Sequence, residues 1–142
     1  MDYLSSFAIS AAGMNVERLR VDVAALNLAN SHAAMTPDGV NYQPLRVVAR
    51  VPAAQGFSDL VGNGLAGPQA SVEPSTAPPR HVLEPGNPVA DAQGFVAYPG
   101  VDPTAEMMSL MSATRAYEAN VAALNAARSM ALKALDIGGG QS

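Results

Sequence analysis

Apolar residues recur along the first thirty positions of the chain in two separate phases. Ile9, Ala12, Val16, Leu19, Val23, Leu26 and Asn30 alternate spacings of three and four. This heptad seam, apolar up to its terminal Asn, predicts a helix from Leu4 to Asn30. Phe7, Met14, Val21 and Leu28 repeat every seven residues. At about 100° per residue, this second row lies roughly 170° from the middle of the first. One partner helix covers one side and leaves the other open, so a helix of this kind has to be sandwiched.

A comparable pattern closes the chain. Asp102-Pro103 supplies an N-cap and a first-turn proline. The helix they open is expected to run to about Ile137 and stop at Gly138-Gly139-Gly140. Its main stripe is Leu110, Ala113, Tyr117, Val121, Leu124, Ala131 and Leu135, with Met107 and Leu132 on the shoulder and Arg128 in the middle. Met108, Ala119, Ala126, Met130 and Ile137 form a weaker row on the opposite side.

Between the helices the pattern changes. All eleven prolines lie from Pro37 to Pro103, and eight of the twelve glycines from Gly39 to Gly100, so no long helix fits there. Pro37-Asp38-Gly39 reads as a turn before an extended segment or short hairpin carrying Tyr42, Leu45, Val47, Val48 and Val51. Residues 53–79 leave room only for short strands such as Ala70 to Glu73. His81-Val82-Leu83 and Gly94 to Tyr98 are two further extended pieces, with a turn at Pro85-Gly86-Asn87-Pro88. The chain thus reads as mainly α with a small β-rich middle. Its segments are an N-terminal helix (1–34), a Pro/Gly-rich middle (35–101), and a long C-terminal helix with a Gly-rich tail (102–142).

Pairing the two terminal helices as a coiled coil, parallel or antiparallel, satisfies one face of each. The remaining rows stay in water, where each large apolar side chain forgoes about 1.5–3 kcal/mol of burial. A patch the size of Phe7, Met14, Val21 and Leu28 is seldom tolerated on a monomer, so association is expected, with folding coupled to it. Composition sharpens this. Of 142 residues 49% are apolar but only 5% aromatic, with no Trp, so Ala and Met must build much of any interior. The net charge of −4 comes without a run of either sign, which gives no footing for nucleic acid or an anionic membrane surface. The absence of cysteine removes disulfide and thiolate chemistry. No stretch reaches the roughly 18 apolar residues of a membrane span, and no basic-then-apolar leader opens the chain, so neither membrane insertion nor a cleaved signal peptide is expected.

Specific residues carry a family likeness. Ala25-Leu26-Asn27-Leu28-Ala29-Asn30, followed by Thr36-Pro37-Asp38-Gly39 and Tyr42, resembles the N-terminal signature of flagellar axial proteins. Pro85-Gly86-Asn87-Pro88 with Asp91, Gly94, Val96, Tyr98-Pro99 and Val101 resembles the block before the last helix in proximal basal-body rod subunits. Glu106-Met107-Met108, Ser112-Ala113, Arg115, Tyr117, Ala119-Asn120-Val121, Leu124-Asn125 and Ser129-Met130 resemble that helix. The likeness covers about two-thirds of the chain; residues 53–79 match nothing, and Pro103 and the Gly-Gly-Gly tail depart from the pattern.

The resemblance implies a structural subunit of the bacterial flagellar basal-body rod, polymerising into the helical tube that carries torque from motor to hook. It implies terminal helices on the inner wall and the middle facing outward. It also implies export through the flagellar type III gate, and as partners further copies, other rod subunits and, during growth, the rod cap. The residues expected to pack or assemble are Phe7, Ile9, Met14, Val16, Leu19, Val21, Val23, Leu26, Asn27, Leu28, Asn30, Met107, Leu110, Tyr117, Val121, Leu124 and Leu135. Asn27 and Asn30 are expected to hydrogen-bond neighbouring subunits and fix register.

Enzymatic readings find no support in the pattern. His32 and His81 are isolated, and the carboxylates Asp59, Glu73, Glu84, Asp91 and Asp102 are scattered through loops as solvated or capping groups. No phosphate-cradling glycine motif is present. No cofactor, metal or catalytic set is therefore expected. The competing class is a soluble helical adaptor or chaperone-like module that grips a partner with Met107, Met108 and Met111.

Overall fold

The computed structural model describes residues 3–36, 41–50 and 67–139. The Pro37-Asp38-Gly39 turn, Val51, Asp59 and most of the 53–79 stretch lie outside the described residues. In chain order the elements are α1 (Tyr3–Asn30), β1 (Leu45–Arg50), β2 (Gln69–Pro74), β3 (Arg80–Leu83), β4 (Phe95–Tyr98) and α2 (Pro103–Gly139). Two long helices thus flank two small two-stranded sheets, β1-β2 and β3-β4.

The ends of the helices follow from local chemistry. At the exit of α1, Asn30 Nδ2 donates back to Leu26 O (2.8 Å) and Ser31 Oγ donates to Leu28 O (2.7 Å), so side chains satisfy carbonyls that the missing next turn would have taken. No described non-glycine residue has a positive φ, so of the two ways an Asn ends a helix, the amide fold-back is the one used here. At the start of α2, Asp102 Oδ1 accepts from Thr104 N (2.9 Å), and Glu106 N donates to Asp102 O (3.0 Å) as the first helical bond.

The chain divides into two compact units, and both helices contribute to each. Unit 1 comprises Met1–Leu19, Ala49–Ser71 and Ala113–Ser142. Its buried apolar residues are Val16 and Ala113, a core of small side chains. Within it a Cβ on Gly13 would meet Asn120 Nδ2 at 3.0 Å, so α1 and α2 approach closely where α1 has no side chain. Unit 2 comprises Arg20–Val48 and Val72–Ser112. Its core is Val23, Ala24, Val96, Tyr98 and Val101, with Pro99 fully buried. In its part of the β1-β2 ladder Ser75 N donates to Pro44 O (2.7 Å) and Arg46 pairs with Glu73 (3.3 Å). The partner number falls as the first rises, which marks an antiparallel ladder. Strands β3 and β4 are antiparallel, with Arg80 opposite Tyr98 and Leu83 opposite Phe95.

The covered side of α2 differs from the expected stripe. After Pro103 its less exposed positions are Glu106, Leu110, Ala113, Ala116, Asn120, Leu124, Ala127 and Ala131, each three or four residues from the next, with Val121 beside them. Tyr117 and Leu135 are exposed, as are Met107 and Leu132, whereas Leu110, Val121 and Leu124 are half-buried. The seam is rotated towards small and polar residues because a close helix approach, such as that at Gly13, excludes bulk. On α1, Ile9 and Leu26 are exposed although they sit in the heptad seam, while Val16 and Val23 are buried and Leu19 half-buried. Phe7, Met14, Val21 and Leu28 are each half-buried in the single chain.

Candidate functional site

The best-defined polar constellation centres on Asn27 in unit 2. Its side chain is 1% exposed. Tyr42 Oη donates to Asn27 Oδ1 at 2.7 Å, and Leu45 N donates to the same oxygen at 2.9 Å. Asn27 Nδ2 donates to Leu45 O at 2.8 Å and to Glu106 Oε1 at 2.9 Å. A carboxamide offers two donors and two acceptor lone pairs, and here all four are used. The reciprocal pair with Leu45 imitates a strand partner, so α1 anchors the first residue of β1 through a side chain. Exchanging the amide oxygen and nitrogen would set donor against donor at Leu45 N and acceptor against acceptor at Leu45 O and Glu106 Oε1, so the network fixes the orientation.

This corrects one expectation. Asn27 has no hydrogen-bonding capacity left for a neighbouring subunit, whereas Asn30 uses one of its two N–H groups on Leu26 O. Asn27 therefore organises its own chain. Asn27 ties α1, Tyr42, β1 and α2 together from within unit 2. Burial, and then the negative charge of Glu106, push the Tyr42 phenol above its usual value, so it stays a protonated donor. Asn41 repeats the device beside it, accepting from Thr36 N (2.9 Å) and donating to Thr36 O (3.1 Å).

The second constellation is the block from Arg80 to Val101. Asn87 Nδ2 donates to Glu84 Oε2 (2.9 Å), and Tyr98 Oη donates to both Glu84 oxygens (3.1 and 3.0 Å). The Asn87 bond, then the Tyr98 bond, hold the Glu84 carboxyl below the usual carboxylate range. The Glu84 bond, with burial and the Glu84 charge, pushes Tyr98 up against a smaller opposing effect of Arg80, whose guanidinium lies 5.9 Å from the ring centre. Asp91 Oδ1 accepts from Gln93 N and Phe95 N, closing the loop into β4. Gly94 has φ +84°, a conformation glycine adopts without steric cost. At Gly100 a Cβ would collide with Pro78 O, so glycine is required there by close backbone approach.

Residues singled out in the sequence therefore fall into two groups. Asn27, Tyr42, Glu106, Glu84, Asn87, Asp91, Gly94 and Tyr98 make contacts inside unit 2. Glu106, the group that takes Asn27's second N–H bond, was legible only as a motif residue. Its sequence signal is an acid in the first turn of α2 on the covered face. The other group remains uncovered on α2: Met107, Met108, Met111, Tyr117, Met130, Leu132, Leu135 and Ile137 are all exposed. Among the described residues, no three His, Cys, Asp or Glu side chains gather in a way that could hold a metal ion. No helix of the described residues is long and apolar enough to cross a membrane. The arrangement holds its own chain in one conformation and leaves apolar side chains of α2 exposed.

Comparison with known proteins points the same way. Residues 92–137 match the family described as flagellar basal body rod FlgEFG protein C-terminal. The chain is 44% identical to the flagellar basal-body rod protein FlgC of Salmonella typhimurium over 138 residues, covering 97% of this chain and 99% of the relative. It is 36% identical to FlgC of Bacillus subtilis over 150 residues, covering 97% and 99%. It is also 36% identical to FlgC of Borreliella burgdorferi over 149 residues, covering 96% and 98%.

Proposed function

Because the chain belongs to the FlgC family of flagellar basal-body rod proteins, we propose that it is a structural subunit of the bacterial basal-body rod that acts by assembly and not by catalysis. The observation that carries this is the set of exposed apolar residues on α2, in a chain of which 97% aligns with a rod protein. Exposed patches of this kind mark interaction surfaces, and a rod subunit gains their burial on joining its neighbours.

In this reading residues 1–34 and 102–142 form the inner wall of a helical tube and residues 35–101 face outward. Phe7, Ile9, Met14, Val21, Leu26, Leu28, Met107, Tyr117 and Leu135 meet neighbouring chains, whereas Val16, Leu19, Val23, Asn27, Asn30, Leu110, Val121 and Leu124 secure the fold that presents them. The partners are further copies, other rod subunits, the rod cap during growth and the type III export gate. Torsional stiffness comes from close packing of long helices, which resists shear. The adaptor reading has the exposed methionines in its favour and the full-length likeness to rod proteins against it.

The test is sedimentation and hydrogen exchange of the isolated chain, together with its recovery in purified basal bodies. The rod reading expects slow self-association, weak amide protection towards both termini, and recovery with the rod. A well-protected monomer that is absent from basal bodies would support the adaptor.

A further inference from the structure

The first turns of α2 bring three thioethers together. Met107, Met108 and Met111 are 54%, 67% and 57% exposed, so none of these side chains is committed to the core of unit 2. At about 100° and 1.5 Å per residue, Met111 lies about 40° round and 6 Å along the axis from Met107, and about 60° and 4.5 Å from Met108. All three share one sector of about 100° on successive turns. Neighbours at spacings of three and four have Cβ atoms about 5–6 Å apart, a gap that unbranched side chains with three rotatable bonds can close at their sulfurs. Gathering them costs side-chain freedom but displaces no core contact.

We infer that Met107, Met108 and Met111 form a three-thioether site for a soft monovalent cation, Cu(I) or its redox-inert counterpart Ag(I). Thioether sulfur is a neutral, soft donor that selects Cu(I) and leaves Mg(II) and Ca(II) to oxygen ligands. The one carboxylate adjacent in sequence is turned away: Glu106 lies about 140° from Met111 around the helix, and its Oε1 accepts from the buried Asn27. The site therefore gains no hard oxygen from it. Among the described residues no three His, Cys, Asp or Glu side chains gather into a competing centre, and the chain has no thiol to take the cation first. Met130 is as exposed as Met111, but the nearest methionine in sequence is Met111 itself, so it offers a single weak ligand. The inference stands apart from the rod reading.

Full-length protein labelled at its methionine methyl groups is titrated with silver nitrate in chloride-free buffer and followed by carbon–proton NMR. The signals of Met107, Met108 and Met111 should shift together and stop at one silver per chain, with Met130 moving only at higher silver. Met111→Leu keeps the apolar bulk and the helix propensity but removes the central ligand, so the shared end point should be lost. Circular dichroism checks that helix content is kept, and Met107→Leu, with the same expected loss, is the second variant. Met130→Leu should leave the end point where it was, and zinc or magnesium should shift none of the three signals.

Trio signals that move in step with Met130, or that need more than one silver per chain, would overturn the inference in favour of independent thioethers. Signals that do not respond to silver at all, or an unchanged end point in a folded Met111→Leu or Met107→Leu chain, would overturn it as well. None of these results touches the rod reading, which recovery in basal bodies decides.

Discussion

Helices α1 and α2 are built from similar residues and end in opposite conditions. On α1 the large apolar side chains are mostly half-buried or buried, and of its described seam only Ile9 and Leu26 are exposed. On α2 Met107, Met108, Met111, Tyr117, Met130, Leu132, Leu135 and Ile137 face water, and the covered side holds four alanines with Glu106, Asn120 and the half-buried Leu110, Val121 and Leu124. Small residues let the helices approach and polar residues tie them, which leaves the bulk for other chains. In the single chain more apolar surface stays open on α2 than on the row of Phe7, Met14, Val21 and Leu28, which is half-buried.

A carboxylate placed on each helix separates the two conditions most sharply. Val23→Asp, at a site 6% exposed, buries an unpaired charge and should cost more than about 3 kcal/mol, seen as loss of a cooperative urea transition by circular dichroism. Leu135→Asp, at a site 70% exposed, should leave that transition within about 0.5 kcal/mol of the parent while abolishing rod assembly and motility. Val21→Asp, on the half-buried row, should also stop assembly without stopping synthesis. Normal motility in both Leu135→Asp and Val21→Asp would break the contrast.

Asn27→Ala should destabilise the chain by about 2–4 kcal/mol, because Leu45 N–H and O lose their partner in a buried place along with Tyr42 and Glu106. Asn27→Asp should be worse, since it removes two donors and sets a second negative charge beside Glu106. Amide exchange at Leu45 is the direct measurement. Gly94→Ala should cost about 1–2 kcal/mol by forcing a side chain into a left-handed backbone, measured by the urea midpoint.

The smallest effect concerns Glu84. Its folded carboxyl is held below the usual range, so its stabilising contribution is complete above the unfolded glutamate pKa and is lost as pH falls through the lower folded value. Glu84→Gln should remove that part of the acid dependence of β3-β4. The same change should bring the alkaline titration of Tyr98, followed by phenolate absorbance, back towards the ordinary phenol value.

Much of the fold was legible in the residues. The absence of proline before Pro37 and after Pro103 marked the helical ends, and Asp102-Pro103 placed the start of α2. Ala70 to Glu73, His81 to Leu83 and Gly94 to Tyr98 fall within or beside β2, β3 and β4. The hydrophobic stripe of α2 misled because periodicity counts apolar positions without knowing how closely a neighbour approaches. Gly13 permits an approach that favours Asn120 over Tyr117. Asn27 stood out by its motif, but its partners Tyr42, Leu45 and Glu106 lie 15, 18 and 79 residues away and no local pattern links them.

The central claim is that α2 holds apolar surface which the single chain leaves open and the rod covers. Peroxide footprinting of methionine, read by mass spectrometry on the isolated chain and on purified rods, tests it directly. Half-buried Met35, outside the residues proposed to meet neighbouring chains, serves as the internal reference. Met107, Met108, Met111 and Met130 should oxidise fastest in the isolated chain and become protected in the rod. Equal oxidation of these four in both states would contradict the account.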